Sequence, residues 1–318
     1  MKHTLSAIAT GLLAFNMACA AQASQGLSGE IGFLLGESEV RSNFNTDHAV
    51  KTGDLNSEGK SETEEITTIF GQLRYDFGDH QLFAGTSDED IVRGVFALEL
   101  GYRYTLAPES HLSLAFLPSV VDGKTWVDPY LVNVARQETD VSGNALRLQY
   151  DVSIFSADLI VYERELDRER SGQQLNVPRQ SLVRDGDGVL ARLALGLPLG
   201  STSYLEPALI YRDDNAEGKA LAYQRLGIEL TYHFSVGPHQ FALDGRYARS
   251  EYDAVHPVFG KTRDEDHLST VLTYEYQDIA GWQGVSLLAM AMYQQTDANI
   301  AFYDQDTVSM MVGATYTF

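Results

Sequence analysis

The sequence predicts one all-β domain, a single antiparallel transmembrane β-barrel of about fourteen strands, behind a signal peptide. Three observations predict this fold. Large apolar side chains recur at every second residue, aromatic residues recur at the same end of alternate strands, and short connections alternate with long ones. Counts of twelve or sixteen strands remain open, because one predicted strand is short and another is weakly patterned.

The N-terminal segment is predicted to direct export. Its apolar run, Leu5 to Phe15, is shorter than the roughly 20 residues that a membrane-spanning helix needs. Ala21-Gln22-Ala23 then has the small-x-small pattern of a signal-peptidase site. Residues 1–23 are therefore predicted to be cleaved and residues 24–318 to form the barrel. A short membrane anchor and a lipoprotein attached through Cys19 are the weaker alternatives.

Composition narrows the possible partners and chemistry. The chain has 23 basic and 44 acidic residues, and loss of Lys2 with the signal peptide leaves 22 minus 44, or a net charge of −22. Binding phosphates requires clustered Lys and Arg, so no nucleic-acid partner is expected. The only cysteine lies in the signal peptide, which argues against disulfides and thiolate metal sites. No cofactor and no metal site is expected.

The alternation has a period of two residues over long stretches. Between residues 96 and 104 every second side chain is large and apolar, and the residues between are small or charged. The same pattern returns over 145–152 and 225–234. Such alternation indicates strands with one apolar and one polar face. The fourteen predicted strands lie near residues 26–38, 66–78, 80–86, 94–104, 110–119, 144–152, 156–164, 187–197, 203–212, 221–234, 239–250, 266–276, 284–295 and 306–318.

A membrane barrel is favoured over a soluble sandwich by the position of the aromatic residues. The even-numbered strands finish on them, at Tyr75 and Phe77, Tyr102 and Tyr104, Tyr150, Tyr232 and Phe234, Tyr274 and Tyr276, and Tyr316 and Phe318. Only the eighth strand, which ends at Leu197, lacks one. Aromatic residues at one edge form the interfacial girdle of a barrel. Short connections after even strands then predict periplasmic turns, and both termini are expected in the periplasm.

The last strand also indicates an outer-membrane barrel. Residues 308–318 alternate strictly, and the chain ends on Phe318. Outer-membrane barrels as a class end this way, so Phe318 is predicted to help the barrel-assembly machinery recognise the chain. The simpler interpretation, in which Phe318 only completes the girdle, is compatible with that role.

Several stretches resemble a Gram-negative family, domain-of-unknown-function family 2860. They are Gln81-Leu-Phe-Ala-Gly-Thr-Ser87, Leu98-Glu-Leu-Gly-Tyr102, Phe116-Leu-Pro-Ser-Val120, Trp126-Val-Asp-Pro-Tyr130 and Glu138-Thr-Asp-Val-Ser-Gly-Asn-Ala-Leu-Arg147. The resemblance spans most of the mature chain and is sharpest between residues 81 and 150. It implies an outer-membrane location and carries no assigned activity.

Charges of both signs fall on the inward phase of the strands. An Arg facing lipid near the bilayer midplane costs about 2–4 kcal/mol, so these charges must line water or pair with one another. The favoured interpretation is a hydrated pore, and the alternative is a salt-bridge network that plugs the lumen. The predicted pore-lining residues are Arg74, Glu99, Arg103, Arg147, Asp151, Arg192, Glu206, Arg225, Glu229, Asp244, Arg246 and Glu275.

The function expected from these features is a porin-like passive channel for small hydrophilic solutes. The long connection 120–143 holds Trp126, Asp128 and Tyr130, which are predicted to fold inward and narrow the channel or, alternatively, to pack on the rim. A closed structural or adhesive barrel is the second hypothesis. The third is an outer-surface protease or lipase built on Asp88, Asp90 and His267. Its two candidate segments, Asp88-Glu-Asp90 and Asp264-Glu-Asp266-His267, lie in predicted acidic loops where solvated charge is the ordinary explanation.

The expected partners follow from that location. They are outer-membrane lipid, lipopolysaccharide, the assembly machinery and small solutes. The sequence does not decide between a monomer and a trimer.

Overall fold

A computed structural model describes residues 26–118 and 123–318. The predicted signal peptide lies outside these residues. The strands are β1 Gly26–Arg41, β2 Ser61–Phe77, β3 His80–Thr86, β4 Leu98–Ala107, β5 Ser110–Leu117, β6 Gly123–Trp126, β7 Glu138–Val152, β8 Phe155–Leu166, β9 Gly186–Leu195, β10 Leu197–Pro198, β11 Ser203–Ala216, β12 Tyr223–Val236, β13 His239–His256, β14 Lys261–Tyr276, β15 Val285–Ala298 and β16 Gln305–Thr317. The helical elements are α1 Asp88–Val92 and the 3₁₀ turns Gln173–Leu175, Arg179–Leu182, Ile279–Gly281 and Ala301–Tyr303.

The strands close into a barrel. Each wall strand pairs antiparallel with the next along the chain, and β1 pairs with β16 from Glu30↔Thr317 to Arg41↔Asp306. The wall has fourteen of the sixteen strands. β6 pairs only with β7, and β9 and β10 both pair with β11 and count as one wall strand. The last residue completes the closure, because Phe318 and Gly29 exchange both backbone hydrogen bonds, at 2.9 and 3.0 Å. The predicted fourteen-strand antiparallel barrel is confirmed.

The barrel is apolar outside and charged inside. On β4, Leu98 and Leu100 are exposed while Glu99 between them is buried. On β7, Leu146 and Leu148 are exposed on either side of Arg147, which is only 4% exposed. A continuous apolar belt on the outer surface is unfavourable in water but suits contact with lipid. The closed ladder also leaves no strand edge with unpaired backbone groups, as a membrane requires. The fold is therefore that of a transmembrane barrel of the outer-membrane type.

Aromatic rings line the end of the barrel that carries the short turns, such as Gly78-Asp79 between β2 and β3. We call this the turn end and the opposite one the loop end. Phe77 stacks on His80 at 5.3 Å between ring centroids, and Phe234 stacks on Phe241 at 4.6 Å. The predicted girdle is confirmed. None of the helices among the described residues is long and apolar enough to cross a bilayer.

Strand boundaries differ from the prediction mainly at the loop end. β7 begins at Glu138 rather than 144, and β13 runs to His256 rather than 250. These extensions lie beyond the apolar belt. The strands continue to pair there, but apolar and polar side chains need not alternate outside the membrane, so the sequence pattern does not mark these residues as strand. β4 begins at Leu98 rather than 94, because the residues before it do not belong to the wall.

Candidate functional site: the lumen

The connection between β3 and β4 enters the barrel. β3 has only seven residues, and after Thr86 the chain forms the five-residue helix α1. Residues 87–97, which we call the plug segment, reverse direction at Gly94, where φ is +75°. Asp88, Asp90, Ile91 and Val92 are all buried. Because β3 is paired with β2 and β4 up to Thr86, a buried connection at this point must run into the lumen.

Ion pairs fasten one side of the plug segment to the wall. Asp90 Oδ2 lies 2.8 Å from Arg147 Nη1 on β7. Asp88 Oδ2 lies 2.7 Å from Arg74 Nη2 on β2. Arg93 Nε approaches Glu229 Oε1 on β12 at 3.7 Å. The plug segment is therefore linked to three wall strands that lie on different sides of the barrel.

The wall charges that receive the plug segment are themselves paired. Arg147 binds Asp158 at 2.6 Å, Nη2 to Oδ2, and Arg192 bridges Glu206 and Glu229 at 2.6 and 2.7 Å. Arg246 Nε donates to the second oxygen of Glu229 at 2.8 Å. Removing one partner of a buried ion pair typically costs about 3–5 kcal/mol, because the other charge is left uncompensated. These contacts form a connected network rather than a row of solvated charges.

Apolar packing holds the other side of the plug segment. Ile91 is fully buried in a cluster that we call the inner apolar wall. Its members point inward from β1, β2, β14, β15 and β16: they are Leu34, Phe70, Val271, Leu288, Met290 and Met311, with Ile66 and Met292 at the margin. Phe96 of the plug segment also packs against this cluster. The plug segment thus spans the lumen, with ion pairs to β2, β7 and β12 and apolar contacts to the side formed by β14, β15, β16, β1 and β2.

Sequence reasoning missed both the plug segment and the inner apolar wall. The plug segment was predicted to be part of an outer loop and of the fourth strand. A signal for the apolar wall does exist in the sequence, because residues 287–293 read Leu-Leu-Ala-Met-Ala-Met-Tyr without a polar residue at either phase. A membrane strand that is apolar on both faces must meet something apolar inside the barrel.

The loops at the other end converge into a cap. Loops that follow six different strands around the barrel contribute to one buried cluster, so the cluster lies over the mouth of the lumen. Its members are Tyr130, Leu182, Ala216, Ala220, Leu221, Ala222, Ile300, Phe302 and Tyr303, with Phe44, Leu55, Val177, Val258, Phe259 and Ala298 packed against them. Tyr130 and Tyr303 hydroxyls lie 2.7 Å apart, and both contact His256 Nε2, at 3.1 and 2.8 Å. Burial and the adjacent Tyr303 raise the pKa of Tyr130 well above its usual value.

The three residues predicted to constrict the channel lie in this cap. Trp126 donates from Nε1 to the Asn43 carbonyl at 3.1 Å, and the Arg136 guanidinium lies over its ring at 4.2 Å. Asp128 accepts backbone N–H bonds from Tyr130 and Gly172, both at 3.1 Å. Burial raises the pKa of Asp128 even though those bonds oppose the shift. The described part of this loop, residues 123–137, packs these side chains on neighbouring loops, which is the second of the two arrangements expected for it.

The predicted pore-lining side chains are on the inner phase of their strands, and most make contacts within the wall. Arg103 donates to Ser113 at 3.0 Å, Arg225 donates to Ser250 at 2.7 Å, and Asp151 accepts from Ser156 at 2.7 Å. Asp244 and Glu275 are buried, and each has one carboxylate oxygen without a partner among the described residues.

The residues of the hydrolase hypothesis are not assembled into a site. Asp88 and Asp90 are buried against arginines, so the expectation that they are solvated in an acidic loop is wrong. His267 on β14 instead contacts Ser250 Oγ at 2.9 Å and Thr296 Oγ1 at 3.0 Å. In the part of the chain that the structure covers, no group of three or more His, Cys, Asp or Glu is arranged to hold a metal ion.

Fold and lumen together define a porin-like outer-membrane β-barrel whose interior is occupied by a segment of its own chain. The sequence profile of a family described as Protein of unknown function (DUF2860) matches residues 26–317. The chain belongs to this family, as the sequence motifs indicated.

Similar solved structures are membrane barrels at low identity. The CymD monoaromatic hydrocarbon channel is 8% identical, with 92% of this chain and 89% of that chain covered and a TM-score of 0.49. OmpT, an outer membrane protein of Vibrio cholerae, is 10% identical, with 93% and 99% covered and a TM-score of 0.45. OccK7 of Pseudomonas aeruginosa is 9% identical, with 92% and 99% covered and a TM-score of 0.40. The sequence matches no curated protein. Because these TM-scores are below 0.5, the fold is established here by the strand pairing described above.

Proposed function

We propose that the protein is a gated diffusion channel of the outer membrane and that the plug segment is its gate in the closed position. The observation that carries this proposal is how the plug segment is attached. Its backbone hydrogen bonds are internal: Asp90 and Ile91 donate to Ser87, Arg93 and Val95 donate to Asp90, and Gly94 donates to Ile91. Among the described residues, only side chains join the plug segment to the wall.

This attachment allows the plug segment to leave without damage to the barrel. A wall strand that moved would break a row of ladder hydrogen bonds in lipid, where each unsatisfied group costs several kcal/mol. Release of the plug segment breaks instead a few ion pairs and one apolar contact patch. The charges left behind on β7, β9, β12 and β13 would then line a hydrated passage, as the predicted pore requires.

The predicted orientation completes the proposal. The long loops that form the cap would face the exterior, and the short turns and both termini the periplasm. Solutes would be small hydrophilic molecules that diffuse down their gradient past the charged inner face.

A closed structural or adhesive barrel is the second candidate, and the cap favours it. Its apolar core joins loops that follow six strands around the barrel. The two candidates differ in one property: only a channel conducts once the plug segment is released.

Planar-bilayer recording of the refolded protein tests the proposal. Asp88→Asn with Asp90→Asn removes two plug anchors without changing side-chain volume, and Arg147 keeps its partner Asp158. Glu251→Gln with Asp253→Asn is the matched control, since it removes the same charge from exposed positions. We expect rare openings in the unmodified protein and in the control, and at least tenfold more frequent openings in the plug variant. A folded plug variant that stays silent contradicts the proposal and favours the closed barrel.

A further inference from the structure

Two carboxylates of the lumen, Glu30 and Glu275, have no ion-pair partner among the described residues, and they lie near Asp88, which is paired with Arg74. Glu30 on β1, Glu275 on β14 and Asp88 at the start of α1 are each at least nine-tenths buried and interact electrostatically with one another. Arg74 is the cation that binds this group, through Asp88. We call the three carboxylates the acidic floor, since they lie toward the turn end relative to the inner apolar wall.

Atoms of the acidic floor lack partners within the described chain. Glu30 Oε2 accepts from Thr317 at 3.1 Å, but Glu30 Oε1, Asp88 Oδ1 and Glu275 Oε2 have no hydrogen-bond partner. The hydroxyls of Thr273 and Thr315 also have none, and both residues are at least 97% buried on the inward phase of β14 and β16. A buried carboxylate without a partner is costly, and a bound cation would relieve that cost.

The acidic floor borders the inner apolar wall directly. Glu275 is paired across the ladder with Leu288, which places their side chains about 4.5–5.5 Å apart at Cβ. Leu34 follows Glu30 on the same face of β1, two inward positions further from the turn end. The wall also contains Met290 and Met311, and methionine adapts its shape to different apolar ligands. An anionic end thus adjoins an apolar surface.

The plug segment already lies against the inner apolar wall and the acidic floor. Ile91 packs on the apolar surface, and Asp88 is paired with Arg74, so among the described residues the plug segment supplies no cation to Glu30 or Glu275. A ligand with an apolar body and a positive charge would replace the contacts of Ile91 and supply the charge that the plug segment lacks. Among the described residues these carboxylates form no metal-binding group, and the apolar wall beside them favours an organic cation.

We propose that the inner apolar wall and the acidic floor form a binding site for a small amphipathic organic cation, an alkyl- or arylammonium compound that competes with Ile91. This inference rests on the proposed channel function and narrows its solute class. The ammonium group binds between Glu30 and Glu275, and the apolar body packs on Leu288 and Met290. Binding displaces the plug segment, because both cannot occupy the same surface.

Calorimetric titration of the detergent-refolded protein tests the site without any transport. The probes are n-hexylammonium, n-hexanol, which lacks the charge, and methylammonium, which lacks the apolar body. We expect n-hexylammonium to bind at least tenfold more tightly than either of the other two. Glu30→Gln with Glu275→Gln should abolish the preference over n-hexanol, whereas Glu251→Gln with Asp253→Asn should preserve it.

Each outcome decides one part of the proposal. Equal affinity for n-hexanol overturns the role of the acidic floor, and equal affinity for methylammonium overturns the role of the apolar wall. These two comparisons use the unmodified protein, so they hold even where the Glu30 and Glu275 variant does not fold. A barrel that conducts after plug release but does not bind n-hexylammonium overturns only this site, and a barrel that binds n-hexylammonium but never conducts overturns only the channel.

Discussion

Truncation of Ile91 should release the plug segment, and the mature chain offers a simple reporter for that release. Ile91 is fully buried on the inner apolar wall, so Ile91→Ala removes apolar contacts that only the closed state makes. Ile→Ala at a buried site costs about 2–5 kcal/mol. Each 1.4 kcal/mol is a factor of about ten in an equilibrium constant. The open population should therefore rise about 30-fold to about 4,000-fold.

Cysteine labelling measures this population. The only natural cysteine is Cys19, within the predicted signal peptide, so Val92→Cys introduces a single thiol at a position that is 2% exposed in the closed state. Its rate of modification by a charged, water-soluble thiosulfonate should be slow and should rise by the same factor when Ile91→Ala is added. A cysteine at the exposed Glu251 should react rapidly and at one rate in both backgrounds. The reasoning is wrong if Val92→Cys reacts as fast as that control before Ile91 is truncated, or if truncation leaves its rate unchanged.

Three further predictions concern the network, the cap and assembly. Glu229→Gln should lower the free energy of unfolding in urea by about 3 kcal/mol. Glu229 pairs with Arg93, Arg192 and Arg246, so the substitution leaves buried guanidinium groups without their carboxylate. As a control, Glu251→Gln should change the free energy of unfolding by less than about 0.5 kcal/mol. Tyr130→Phe should increase proteolysis of the loops while the barrel stays resistant, because it removes the hydroxyl that contacts both Tyr303 and His256. Equal loop cleavage in the unmodified protein and in this variant would count against a cap held by this contact. Deletion of Phe318 should reduce the amount of folded barrel in the outer membrane, and heat-modifiable migration on gels measures it; an undiminished amount would leave Phe318 with a girdle role alone.

The wall could be predicted from the sequence because each of its features is local. The alternation of Leu98, Glu99 and Leu100 records which side of the wall each residue faces, and neighbouring strands must pair in chain order to close. The girdle is visible for the same reason, since residues such as Phe77 and Phe234 come directly before short turns. These patterns follow from the bilayer, which acts on every strand in the same way.

The contents of the lumen could not be predicted in that way. The sequence 87–97 is short and acidic like a surface loop, and its inward course depends on partners far along the chain, above all Arg147, Glu229 and Leu288. The similar numbers of acidic and basic residues on the inward face were compatible with both a pore and an ion-pair network. Those numbers do not show which side chains are in contact. For the loop that holds Trp126 and Tyr130, an inward fold and packing on the rim both remained open, because aromatic rings pack equally well inside a pore and against neighbouring loops.

Hydrogen exchange of the backbone amides tests most directly whether the plug segment moves independently of the wall. Local opening exposes amides at a free energy below that of global unfolding. In the Asp88→Asn, Asp90→Asn protein, the amides of residues 89–97 should exchange faster than in the unmodified protein, while ladder amides of β3 and β4, such as those of Leu82 and Leu100, should keep their protection. If both sets accelerate together, or if neither does, the segment is a fixed part of the barrel and the account of a side-chain-held gate is contradicted.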